Sequence, residues 1–86
     1  MNLSPEERRH FERERAAQAY ADRQYGQALW YAWGRIDSGQ YQGFPLNAFA
    51  FAESVKQESL TFAREQTFHL QSIQDAWARY VERESS

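Results

Sequence analysis

Apolar and polar positions alternate with a helical period along almost the whole chain, most regularly in its second half. Placed at about 100° per residue, Phe51, Val55, Phe62, Leu70, Ile73, Trp77, Tyr80 and Val81 fall within one arc about 120° wide. Glu53, Gln57, Glu58, Arg64, Glu65, Gln71, Asp75, Arg79, Glu82 and Arg83 lie opposite. The phase runs from Asn47 to Arg83 without a slip. It predicts one continuous helix over 48–83, about 50 Å long, with Asp75 and Arg79 spaced to pair on its exposed side.

The first half predicts a second long helix over 5–38. Ser4 suits an N-cap, Pro5 the first helical position and Glu7 the far corner of a capping box. Gly39 is placed to end the helix, and Asn47 to cap the next one. The apolar seam runs through Phe11, Gln18, Asp22, Tyr25, Leu29, Ala32, Trp33 and Ile36, with Gln18 and Asp22 interrupting it. Residues before about Arg15 are so highly charged that fraying or exposure is expected there. Between the helices, Gly39, Gly43 and Pro45 punctuate a loop in which Tyr41, Phe44 and Leu46 are expected to fold over the end of the hairpin.

Two long helices joined by a short loop make an antiparallel hairpin. The loop length sets facing residue numbers to add to about 84 or 85. Ile36 then falls near Phe49, Leu29 near Val55 and Phe11 near Ile73. Gln18 falls near Gln66, and the two are candidates for a buried hydrogen-bonded pair that fixes register. From Tyr25 to Ile36 the apolar arc is about 200° wide, more than one neighbouring helix covers. A further small-residue surface comprises Ala17, Tyr20, Ala21, Ala28 and Tyr31. The resulting expectation is an all-α single domain spanning 1–86 that forms a homodimeric four-helix bundle. The alternative is a monomeric three-helix bundle with a kink near 22–26.

Composition modifies this picture in three ways. Aromatic residues make up 16% of 86 residues, with three Trp, more than a small core needs. Rings off the seam or at its border are therefore candidates for partner contact: Tyr20 and Tyr31 off it, Trp30 bordering it, and Phe68 on the polar side of the second helix. The net charge is −2, and Arg8, Arg9, Arg13 and Arg15 are interleaved with Glu6, Glu7, Glu12 and Glu14, so no basic stripe favours nucleic acid. Cysteine is absent, no apolar run approaches a membrane span, and the N-terminus lacks the basic start and apolar run of a secretion signal. A cytoplasmic location is expected, with no membrane partner.

Candidate chemistry is thin. His10 and His69 are the histidines. Glu7 and His10 have the Glu-x-x-His spacing of a di-iron bundle, but Gln66 precedes His69 at the matching position. Nucleotide-binding loops, dinucleotide fingerprints and zinc-ligand patterns are missing, so neither cofactor, metal nor catalytic residues are expected and an enzyme is disfavoured. The expected function is a non-enzymatic protein–protein interaction module, a small adaptor or inhibitor of the type carried by phage or accessory genomes. It would act through an aromatic helical surface on a protein partner that the sequence does not identify. A self-assembling structural subunit and a nucleic-acid accessory protein using the N-terminal Arg cluster are the alternatives.

Overall fold

A computed structural model describes residues 2–39, 45–65 and 72–85. Among them are three helices, α1 (Pro5–Asp37), α2 (Pro45–Glu65) and α3 (Ile73–Ser85), and no strand. The molecule is elongated, 53 × 24 × 16 Å.

The ends of α1 follow the sequence. Ser4 is extended, and its Oγ accepts a hydrogen bond from the Glu7 N–H at 3.2 Å, satisfying one of the free amides of the first turn. At the other end the Ser38 N–H donates to the Gly34 carbonyl and the Gly39 N–H to the Ile36 carbonyl. Gly39 has φ +79°, the left-handed conformation that a residue without Cβ adopts freely. Residues 2–13 are exposed, as their charge implies, yet from Pro5 onward they are helical.

The continuous second helix is not what forms. The Phe51 and Trp77 rings lie 5.0 Å apart, nearly perpendicular. In a single helix the 26 intervening steps would separate them by about 39 Å. The chain therefore reverses between Glu65 and Ile73, and α3 packs back against α1 and α2. Three helices thus arise without a kink near 22–26, where α1 is unbroken. The missing phase slip has a simple cause. Phe62, which faces Tyr20, and Ile73, which packs on the core, are eleven positions apart, and eleven steps turn a helical wheel by about 1100°, only some 20° past three full turns. The start of α3 carries its own signal: the Asp75 N–H donates to Ser72 Oγ at 3.2 Å and the Ala76 N–H to the Ser72 carbonyl at 3.0 Å. Ser72-Ile-Gln-Asp75 is a capping sequence lying inside what reads as one long helix.

The main core joins Ala28 and Ala32 of α1, Ala48, Phe51, Ala52 and Val55 of α2, and Ala76 and Trp77 of α3. A smaller cluster of Ala17, Ala21 and Leu60 continues it toward the open end of the hairpin. The α1 seam is therefore centred on Ala17, Ala21, Ala28 and Ala32, rotated by roughly 80° from the expected one. Tyr25, Leu29 and Ile36 flank it on one side and Tyr31 on the other, all partly buried. Phe11, 59% exposed, and Trp33, 38% exposed, are not core residues. Bulk misleads here, because small residues at the centre let two helices approach closely while large ones fill the wedges beside the contact.

The register also differs. Trp33 meets Phe49 and Tyr20 meets Phe62, so facing numbers add to 82 in both places, nearly one helical turn from Ile36 opposite Phe49. The earlier start of α2, at Pro45 rather than 48, accounts for the shift. Phe11 does not meet Ile73, which packs against the main core.

Candidate interaction surface

Among the described residues, those expected to meet a partner divide into three groups. Ala17, Ala21 and Ala28 are buried within the single chain, none more than 3% exposed, because the small-residue surface of α1 is the seam with α2. Tyr20 and Tyr31 are half-buried and engaged. Tyr20 lies 6.1 Å from Phe62, and Tyr31 meets the edge of Trp77 at 6.3 Å. Arg35 folds over Tyr31 and donates from Nη2 to its hydroxyl at 2.7 Å. Among the described members of this set Trp30 alone is open, at 83% exposed. Phe68 and Gln66 lie outside the described residues, as do His69 and the loop aromatics Tyr41 and Phe44. Gln18 is exposed and donates to Glu14 one turn earlier at 3.3 Å, so it is not a buried polar group.

Trp30 does not stand alone. Trp33, one turn further along α1, is 38% exposed, and Phe49 of α2 is 42% exposed. Their rings meet edge to face at 6.2 Å, so three exposed aromatic side chains share the end of the hairpin near the turn. Sequence reading placed Trp33 in the seam and set Phe49 opposite Ile36, neither on an exposed surface. Trp30 is also set between two glycines, Gly26 one turn before it and Gly34 one turn after. A Cβ added at either would meet nothing within 4 Å, so the backbone on both sides of the indole is bare. A cleft of about 270 Å³ is lined by Trp30, Trp33, Gly34 and Asp37. A second, of about 300 Å³, opens on the other side of Trp30 and Gly34. A flat aromatic ring standing between two notches can enter a partner's surface and receive a side chain from it.

Charge on the molecule is concentrated elsewhere. Arg64 of α2 grips both carboxylate oxygens of Glu14 on α1, its Nε 3.0 Å from each and its Nη2 against Oε1. Lys56 pairs with Asp22 at 3.6 Å and lies over the Tyr25 ring. The Arg64 hydrogen bond holds the Glu14 carboxyl below its ordinary value, desolvation opposing and Gln18 assisting. Glu14 in turn raises Arg64. Both bridges join α1 to α2 across the hairpin. The expected Asp75–Arg79 pair is not formed among the described residues, and Arg79 is half-buried because α3 folds back.

Among the described residues, no group of three or more His, Asp or Glu side chains could hold a metal ion, and no helix is long and apolar enough to cross a membrane. No protein-family model matches the chain, and no curated protein or solved structure is significantly similar to it.

Proposed function

We propose that this protein is a non-enzymatic interaction module, a small adaptor or inhibitor that docks onto other polypeptide through the aromatic surface of Trp30, Trp33 and Phe49. One observation carries the reading: Trp30 is 83% exposed while Trp77 in the same chain is 7% exposed. Leaving an indole in water forgoes roughly 2 kcal/mol or more of burial free energy, and clustered exposed aromatics on a small protein mark contact surfaces. Trp and Tyr also dominate the residues that carry binding energy at interfaces. The oligomeric part of the proposal is a homodimer; with Ala17, Ala21 and Ala28 occupied internally, its contact surface would be the outer one.

The test is site-specific photo-crosslinking in the native host. A photoreactive residue at position 30 is expected to give discrete adducts, and one at Glu53, exposed on α2, none. Absence of adducts at position 30, or equal adducts at both positions, would remove support for the surface.

A further inference from the structure

We infer that the outward face of α1 docks onto the same face of a second copy of this chain, the two helices running antiparallel with Trp30 of each copy seated over Gly26 of the other. The inference rests on reading the Trp30 region as a docking surface and goes on to name its occupant.

The face is defined by spacing. Ala19, Arg23, Gly26, Trp30, Trp33 and Asp37 follow one another at alternating intervals of four and three residues, the repeat that keeps one stripe of an α-helix toward a helical neighbour. All six are exposed, and the stripe runs for about 27 Å on the side of α1 away from Ala17, Ala21, Ala28 and Ala32. α1 thus carries two seams. The inner one packs on α2 and α3, and the outer one is open to a further helix.

Size complementarity selects the partner and its direction. In an antiparallel pair centred level with residue 28, Trp30 faces Gly26, Trp33 faces Arg23 and Asp37 faces Ala19, each contact occurring twice by symmetry. A large side chain opposes a bare backbone in the two central layers. Nothing among the described residues accounts for Gly26, since a Cβ there would meet none of their atoms within 4 Å and a helix-interior glycine is destabilising relative to alanine. An indole arriving from a second copy does account for it.

Charge points the same way. The stripe is cationic toward its start, at Arg23 with Arg15 at its edge, and anionic at its end, at Asp37. Neither Arg23 nor Asp37 forms an ion pair among the described residues. A parallel arrangement would set Arg23 against Arg23 and Asp37 against Asp37. The antiparallel one lays the Arg23 guanidinium on the Trp33 ring of the other copy and brings Asp37 between Arg15 and Arg23. Opposed helix dipoles add to the preference.

Sedimentation equilibrium from micromolar to millimolar concentration tests the inference. The native chain is expected to show a reversible monomer–dimer equilibrium. Trp30→Ser is expected to weaken it by more than about thirtyfold, because each dimer loses two central rings. Gly26→Gln fills the notch and should weaken it comparably while leaving helical circular dichroism unchanged or higher, which separates loss of docking from loss of fold. Arg23→Asp and Asp37→Arg should each weaken association, and the double variant should restore it. Because the chain has no cysteine, direction can be read by mixing Ala19→Cys with Asp37→Cys. A mixed disulfide is expected to form in preference to either self-disulfide. A dimer indifferent to Trp30→Ser, or preferential self-coupling of Asp37→Cys, overturns the arrangement. If the native chain is monomeric throughout, the second copy is excluded as occupant. Crosslinks from position 30 to another protein would then keep the docking surface, and their absence would remove both.

Discussion

Trp77→Ala is the most informative single perturbation, because Trp77 is where the unexpected reversal of the chain is held. Its ring is 7% exposed and meets Phe51 at 5.0 Å, Tyr80 at 5.8 Å and Tyr31 at 6.3 Å, so it touches both other helices. Truncating a buried Trp costs about 3–5 kcal/mol, of which each well-placed ring pair supplies about 0.5–1.5 kcal/mol. A chain of this length has roughly 4–13 kcal/mol of total stability, so the loss is a large fraction of it. α3 has 13 residues, too short to stay helical once detached. Urea unfolding followed by far-ultraviolet circular dichroism, at concentrations low enough to keep the chain monomeric, measures the effect. Two outcomes fit: an unfolding free energy lowered by about 3 kcal/mol or more, or an early loss of the helical signal of α3 ahead of the rest. Trp30→Ala is the control, the same substitution at an exposed site, expected within about 0.5 kcal/mol of the native chain. If Trp77→Ala cost less than about 1 kcal/mol, or no more than Trp30→Ala, α3 would not be packed against the hairpin and the reversal would be wrong.

Three further predictions concern the same contacts. Ala28→Leu, at a position with no exposed surface between α1 and its neighbours, is expected to destabilise by about 1–3 kcal/mol or more through overpacking, although it adds apolar area; thermal unfolding checks this, and an unchanged midpoint would contradict close approach of the helices. Ser72→Ala should remove the cap that donates order to the first turn of α3 and cost about 1 kcal/mol, visible as faster amide exchange at Asp75 and Ala76. The Glu14–Arg64 bridge contributes stability that is fully present above the ordinary glutamate value and is lost as pH falls from there through the depressed folded value. Acid titration of unfolding should therefore show a component below the usual carboxylate range that Glu14→Gln abolishes; an identical acid profile in the variant would exclude it.

Much of α1 is legible in the sequence because its ends are written in local chemistry. Ser4-Pro5 starts it and Gly39 stops it, to within a residue. The lateral packing is less legible. Ranking positions by hydrophobicity favours Leu29, Trp33 and Ile36 as the seam, whereas the close approach of two helices depends on what is absent at Ala17, Ala21, Ala28 and Ala32. The reversal before α3 is hidden for a geometric reason, the near coincidence of the eleven residues from Phe62 to Ile73 with three helical turns, and only the capping residues Ser72 and Asp75 betray it. For the candidate surface, Trp30 could be singled out from the wheel alone. Phe49 and the open side of Trp33 could not, since they depend on a register that a loop length sets only to within a turn.

The alanine centre of the molecule bears on how so thin a body can fold at all. Ordering a long side chain on burial costs up to about 1.5–2 kcal/mol of rotamer entropy, while alanine has none to lose. Ala17, Ala21, Ala28 and Ala32 of α1 and Ala48 and Ala52 of α2 are all buried, so these positions of the line along which the two helices meet freeze no side-chain torsion. The ordering cost falls on Val55, Ser59 and Leu60 of α2 and on the aromatic flanks, Phe51, Trp77, Tyr80 and Tyr31, rings with two torsions each and large faces to bury. A chain with little interior volume thereby keeps its entropic losses in proportion to the modest apolar area it removes from water.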